Sequence, residues 1–402
     1  MLIRPEPAKA LSARQECAIV AHAVAGNPGS AALRLRLARL LNQLDAFDET
    51  IAMLTASDAG TPAHDALDYG AYMVLAAAWF GRDQPGDTVH AHHAALRAET
   101  LAATDAQRSA ALADQGKALL RLDRHDDART RLTEALRHDP GNMPACRRLA
   151  TELLRTGDAE AVIAMTDRLA AQGIGHARLF MARMLAFARL DRIAEARAIT
   201  NPARFRHRQI LTPPPGWADI AAFNTALVEE LKTHPGLRYE RHGTASRSTW
   251  RIDALATGAA PVARALLARI AETAERHVAA LSDIAHPWLA ARPDRGELRS
   301  WCVITEGEGF EQWHAHPFGW MSGVYYAQVP DTVVTGHDAG GCIAFGLPDG
   351  LIGADRAAQF GEDLVRPQPG LLMLFPSHSY HRTFPHGAVD RRICVSFDIW
   401  PA

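Results

Sequence analysis

A set of small and large apolar residues at helical spacing recurs along the first half of the chain, and it limits what that half can fold into. Leu112, Gly116, Leu119, Ala128, Leu132 and Ala135, closed by Pro140, make up the clearest unit. Steps of three and four put Leu112, Gly116 and Leu119 on one helix face, and Ala128, Leu132 and Ala135 on another. Small Gly116 and Ala128 let the two helices approach closely, while Leu119 and Leu132 fill the groove between them. Such a hairpin cannot bury its apolar face alone, so neighbouring units must stack on it into a helical solenoid. A second unit is expected over about 141–173, with a turn one residue shorter at Arg155-Thr156-Gly157-Asp158. A third runs over about 175–200, with Arg192-Ile193-Ala194-Glu195-Ala196-Arg197 in its second helix. A weaker unit at about 30–62 has Leu41, Leu54 and Pro62 in register, and residues 64–104 read as helical without matching the pattern.

The sharpest break is Thr212-Pro213-Pro214-Pro215-Gly216, where three prolines exclude a helix and stiffen the chain. It divides the sequence into a helical-repeat domain over 1–205, a Pro-rich linker over 206–216 and a second domain over 217–402. That second domain opens with helices at about 217–233 and 259–282. From about residue 298 the pattern changes to strands: Arg299–Thr305, Met321–Val329, Cys342–Phe345, Leu371–Phe375 and Arg392–Ile399 are rich in Val, Ile, Tyr, Phe and Trp. Many short strands separated by Gly, Pro and Asp point to a sandwich or barrel. The fold class is α+β, an all-α solenoid followed by a β domain with buttressing helices. The irregular stretch Pro348–Pro369 has room for a lid or a substrate loop.

Charge excludes several functions. The 43 Lys and Arg residues nearly balance 45 Asp and Glu, so no global field draws the chain to nucleic acid or to a membrane surface. Met1-Leu2-Ile3-Arg4-Pro5-Glu6-Pro7 has no apolar core of a secretory signal, and no apolar run reaches the length of a transmembrane helix. Cys17, Cys146, Cys302, Cys342 and Cys394 are scattered and form no disulfide framework. A reducing cytoplasm is the expected compartment.

The chemistry concentrates in Trp313-His314-Ala315-His316-Pro317, where a loop enters a strand. Residues i and i+2 share a strand face, so His314 and His316 can aim two imidazoles at one point. His381 follows in Ser377-His378-Ser379-Tyr380-His381, and Arg392 lies in a later strand. Neutral imidazole is the commonest metal ligand, and a site with open positions suits non-haem iron. Other histidines are weaker candidates. His378 and His386 read as solvated or as neighbours of the site. His337-Asp338 is a spare ligand pair in a Gly-rich loop. In Thr88-Val89-His90-Ala91-His92-His93 only His90 and His93 share a helix face, so a solvated face is the reading there.

Five segments and His381, taken in order, carry a resemblance: Arg299-Ser300-Trp301, His314-Ala315-His316-Pro317, Gly319-Trp320-Met321-Ser322-Gly323-Val324-Tyr325-Tyr326, Gly370-Leu371-Leu372-Met373-Leu374-Phe375-Pro376-Ser377 with His381, and Arg391-Arg392-Ile393-Cys394-Val395-Ser396-Phe397. From about Trp217 to the C-terminus the chain resembles the 2-oxoglutarate/Fe(II) oxygenases that follow tetratricopeptide repeats in bacterial proteins, and the helical units resemble those repeats. The resemblance implies a double-stranded β-helix of jelly-roll or cupin-like form, Fe(II) held by His314, His316 and His381, and 2-oxoglutarate as co-substrate. It also implies that Arg392 holds the distal carboxylate of 2-oxoglutarate, with Tyr326 and Ser322 beside the co-substrate. Related enzymes usually present H-x-D or H-x-E. Here His316 takes the carboxylate's place, as it does in the family the chain resembles, so either three histidines bind or only His314 and His381 do. Cys394 stands where a Ser, Thr or Ala is usual two residues after the Arg.

The function this implies is hydroxylation of a peptide or protein recruited by the repeats, with decarboxylation of the keto-acid to succinate. Two other readings stay open: a non-catalytic protein-binding scaffold, and a three-histidine iron oxygenase that uses no 2-oxoglutarate. The repeat surface equally suits self-association into a homo-oligomer.

Overall fold

The structure, a computed structural model, describes residues 1–56, 67–239 and 245–402. Two compact units form: Leu11–Asp158, and Met1–Ala10 together with Ala159–Ala402. Pro62, expected to close the weak first repeat, lies outside the described residues.

The first unit is helical. Helices Asp105–Arg121 and His125–His138 form the clearest hairpin, with Thr104 and Asn142 capping the first and the following helix. Leu112, Leu119, Ala128, Leu132 and Ala135 are all buried in it. A Cβ placed on Gly116 would lie 2.6 Å from Leu132 Cγ and Cδ2, so glycine is needed for the helices to meet. Ser109 donates to the Ala135 carbonyl at 2.8 Å and accepts from Asn142 Nδ2 at 2.8 Å, tying this hairpin to the next.

The turn after each first helix is the same device repeated. Arg124 N–H donates to Leu119 O, Asp158 N–H to Leu153 O and Arg192 N–H to Phe187 O, at 2.8–2.9 Å. The acceptors step by 34 residues (153 − 119 and 187 − 153). Asp123, Gly157 and Asp191 occupy the left-handed position of these turns, where Gly or a short polar side chain is least strained. The turn at 156–158, expected to be one residue short, therefore matches the turn at 122–124 in length. Gly116→Ala gains up to about 1 kcal/mol of helix propensity but overpacks a core contact at about 1–3 kcal/mol. A net loss of roughly 1–2 kcal/mol is expected in urea unfolding.

The second unit carries the strands β1 (Leu2–Pro5), β2 (His207–Ile210), β3 (Leu237–Tyr239), β4 (Ser246–Asp253), β5 (Arg295–Glu311), β6 (Met321–Gln328), β7 (Ile343–Phe345), β8 (Asp363–Val365), β9 (Leu371–Pro376), β10 (His381–Thr383) and β11 (Arg392–Pro401). The large sheet runs β2-β9-β6-β11-β5-β4-β3, with β1 added parallel to β5. A small antiparallel sheet, β10-β7-β8, faces it. Val303, Val324, Tyr326, Met373, Phe375 and Cys394 from the large sheet meet Ile343, Phe345 and Val365 from the small one in a single core. The period-2 positions of each strand supply these inward residues. Two facing, mainly antiparallel sheets of this kind make the jelly-roll domain of an α+β protein. Helices Ile220–Lys232 and Pro261–Ala279 occupy the expected places.

Strands β1, β3 and β4 form where none is expected, and the boundary between the domains differs as well. His207–Ile210, inside the stretch read as a linker, pairs with Leu371–Leu374 as an edge strand. The helices over 159–205 pack with the sheets, so the compact units divide at 158/159 and not at the prolines. Arg356 pairs with Asp191 at 2.7 and 3.1 Å, Arg189 donates to Leu351 O at 2.8 Å, and Arg197 bonds the Phe360 carbonyl. These bonds also fasten the stretch 348–369, read as a lid or substrate loop, which folds into short helices Asp349–Ile352 and Ala354–Phe360 followed by β8.

Candidate metal centre

The segment Gln312–Trp320 runs beside Ser377–His381 as a short irregular ladder. His314 and His381 exchange both backbone hydrogen bonds at 2.9 Å, and His316 N–H donates to Ser377 O at 2.9 Å. The loop is locked at its far end by Trp288 and Trp320. These stack at 4.5 Å, and each indole N–H donates to the other's backbone carbonyl at 2.9 Å. Backbone pairing thus brings together histidines 65 and 67 residues apart (381 − 316 and 381 − 314).

The three imidazoles converge. Donor atoms of His314, His316 and His381 all lie within 4.8 Å of one another. Each Nδ1 is engaged behind the site: His314 with Gln312 O at 2.7 Å, His381 with Ser379 O at 3.0 Å, and His316 with the Asp398 carboxylate. These partners only accept, so each Nδ1 carries the proton and each Nε2 presents its lone pair to the common point. Burial, then the neighbouring imidazoles, hold His381 well below the ordinary histidine range, and burial lowers His314 too. Neutral imidazoles converging in this way form a nitrogen-donor set suited to a divalent first-row metal.

Asp398 is held in turn by Ser322, whose hydroxyl donates to it at 2.6 Å and contacts Ser377 Oγ at 2.7 Å. An acceptor chain of this kind fixes the tautomer and the ring orientation of His316. Asp398→Asn is expected to weaken metal binding about 10–100-fold, measured by anaerobic calorimetry with Mn(II).

The imidazoles line a cavity together with Trp301, Glu311, Tyr326, Thr383, Arg392 and Cys394. Arg392 is 2 % exposed. Its Nη1 donates to Gly341 O at 2.8 Å and its Nη2 to Thr383 Oγ1 at 3.3 Å, while Nε is buried without a partner. The hydroxyl of Tyr326 is likewise buried and unpartnered, and burial pushes that phenol up, so it remains a donor. A buried cation and a buried donor in need of acceptors fit an anion bearing carboxylates, such as 2-oxoglutarate.

The other expected residues take varied places. Ser322, expected at the co-substrate, faces Asp398 and Ser377 and is not part of the cavity wall. Tyr325 points the opposite way and donates to Asn224 Oδ1 at 2.5 Å. Arg391 makes the expected exposed ion pair, with Glu306 at 2.6 Å. His337 and Asp338 lie on an exposed loop away from the cavity. His386 contacts the Thr305 carbonyl at 3.3 Å, and His90 stacks on Trp79 at 4.7 Å. Asp398, Glu311 and Thr383 were not among the expected site residues. A charged residue inside the apolar strand Val395–Ile399, six positions after Arg392 and so on its face, was the available signal for Asp398.

His378, expected to be solvated or a neighbour of the site, is fully buried. It bonds the Ile199 carbonyl at 3.0 Å and packs on Phe180. Burial lowers its pKa to about 4 from 6.5. Above pH 6.5 both folded and unfolded chains hold it neutral. Below that the unfolded chain binds the proton first, so stability falls as pH drops from 6.5 towards 4, by roughly 2 kcal/mol at pH 5. Half-buried His176 and His277 act in the same direction. Denaturant unfolding of the metal-free protein at pH 7.5 and 5.0 should show the loss, and His378→Asn should shrink it.

Residues 299–398 match the family model described as "Putative 2OG-Fe(II) oxygenase". Among solved structures, the chain is similar to a Pseudomonas putida prolyl-4-hydroxylase, at 17 % identity over 53 % of this chain and 99 % of that one, with TM-score 0.33. It is also similar to YrrB, a TPR protein with an unusual peptide-binding site, at 16 % identity over 45 % of this chain and 91 % of that one, with TM-score 0.34. A third likeness is to pilF of Pseudomonas aeruginosa, at 20 % identity over 46 % of this chain and 79 % of that one, with TM-score 0.36. No curated protein matches the chain. The C-terminal part of this chain carries a 2-oxoglutarate/Fe(II) oxygenase domain, preceded by helices that resemble a tetratricopeptide solenoid.

Proposed function

We propose that the protein is a 2-oxoglutarate-dependent non-haem iron dioxygenase that hydroxylates a peptide or protein, with His314, His316 and His381 as the iron ligands. The observation that carries this reading is the placement of buried Arg392, with its unpartnered Nε, in the same cavity as three convergent imidazoles. Iron with 2-oxoglutarate supplies the oxidising chemistry, in which the keto-acid is decarboxylated to succinate. The protein's part is binding and orientation. Arg392 holds the distal carboxylate, Tyr326 donates to the co-substrate, and Asp398 keeps His316 in its ligating tautomer. Phe375, Val324 and Ile343 in the same wall exclude water. Ser322 supports Asp398 and does not touch the co-substrate.

The helical repeats support an extended polypeptide substrate, since stacked hairpins build a concave surface suited to a peptide. Five free cysteines, four of them buried, are in keeping with a reducing cytoplasm. Among the described residues no helix is long and apolar enough to cross a membrane.

Anaerobic titration with Fe(II) and then 2-oxoglutarate tests the reading. A visible iron-to-keto-acid charge-transfer band that saturates near one equivalent is expected. Bound iron without the band would favour a three-histidine oxygenase needing no keto-acid. No bound iron would leave the non-catalytic scaffold.

A further inference from the structure

The three imidazoles are neutral ligands, so they leave a divalent ion uncompensated. Besides Asp398, bonded to His316 Nδ1 behind the site, one carboxylate lines their cavity. Glu311, at the end of β5, places Oε2 3.9 Å from His314 Nε2, just outside the cluster of nitrogen donors. Its side chain is only 15 % exposed and lines the same cavity. Oε1 is held by the Ser246 hydroxyl at 2.6 Å, which leaves Oε2 turned to the histidines. The Glu311 backbone N–H donates at 2.9 Å to Thr383 Oγ1, the same hydroxyl that accepts from Arg392. Among the described residues no lysine or arginine pairs with this carboxylate. A carboxylate this secluded needs a cation, and its titratable neighbour within ion-pair distance is the ligating face of an imidazole.

Resting on the reading of the three histidines as a metal site, we propose that Glu311 is the carboxylate of this centre, accepting a hydrogen bond from water bound to the ion beside His314. It supplies from the preceding strand the negative charge that His316, standing in the usual carboxylate position, cannot. It also opposes the anionic co-substrate, so its charge has opposite effects on the two ligands. It strengthens metal binding and weakens 2-oxoglutarate binding to the loaded protein.

Full-length protein is titrated anaerobically with Mn(II) alone by calorimetry, then with 2-oxoglutarate at saturating Mn(II). Wild type, Glu311→Gln, Glu311→Asp and His381→Ala are compared. Gln keeps the shape and the acceptor for Ser246 but removes the charge. Mn(II) binding about 10–100-fold weaker in Glu311→Gln, partly restored in Glu311→Asp, with 2-oxoglutarate binding equal or tighter, supports the proposal. Unchanged Mn(II) affinity in Glu311→Gln, with His381→Ala abolishing it, overturns the proposal and leaves the metal site standing. Parallel weakening of both ligands with a lowered Tm overturns it in favour of a structural role. Wild type that binds no Mn(II) overturns both this proposal and the metal-site reading.

Discussion

His381→Ala abolishes stoichiometric Fe(II) binding, an effect expected to exceed about 100-fold, because even outer partners of a metal ligand are worth 10–100-fold. Two features make the experiment clean. His381 is joined to His314 through backbone atoms on both sides, so alanine keeps the ladder that carries the loop. The imidazole faces the cavity, so its loss enlarges an existing space instead of opening a new one. The metal-free variant should therefore keep its far-UV circular dichroism and most of its Tm. Fe(II) or Mn(II) that still binds with wild-type affinity would show that the imidazoles are hydrogen-bonded loop residues and not ligands. His316→Ala should behave similarly if three histidines bind. If it only halves or thirds the affinity, His314 and His381 carry the ion and His316 stands beside it.

Arg392→Ala raises the Kd for 2-oxoglutarate about 100-fold and leaves metal affinity nearly unchanged. A hydrogen bond to a charged group is worth about 1.5–3 kcal/mol, and a bidentate guanidinium–carboxylate pair sits at the upper end. About 2.7 kcal/mol corresponds to a hundredfold change. Arg392 also bonds Gly341 O and Thr383, so alanine leaves a buried carbonyl unsatisfied. Arg392→Lys separates the two effects. It keeps the charge but loses the planar fork, so an intermediate Kd is expected. The charge-transfer band, titrated anaerobically, reports the result. Equal keto-acid affinity in all three proteins would remove Arg392 from co-substrate binding and turn attention to the oxygenase that needs none.

These two variants fall on residues the sequence could reveal, while the groups that tune them were hidden. His314 and His316 are legible because a period of two puts them on one face, and Arg392 because it heads a late strand where the resembled family carries an arginine. The fit of Glu311, Thr383 and Asp398 was not legible, because it depends on which strands pair. Asp398 reaches His316 across 82 residues only after β11 inserts between β5 and β6. The edge strands β1, β2 and β3 were missed for a related reason. They are three or four residues long and too short to show a period. His378 is the opposite case: a residue polar by composition is buried by a helix distant in sequence.

The local geometry follows from neighbouring residues along the chain. The sequence carried the helical repeat with glycine at the closest helix approach, the strand pattern of the second half, and the histidines that share a face. Period and residue size act within one element, so they can be read from neighbours along the chain. Which surface covers which is set by the packing of distant segments. It placed the last helices over 159–205 on the sheets despite the prolines that follow them, turned the Ser322 hydroxyl to Asp398, and brought Glu311 to His314. Burial and pairing between distant segments depend on the summed fit of whole surfaces, and a local pattern shows only that a face is apolar, not what will bury it.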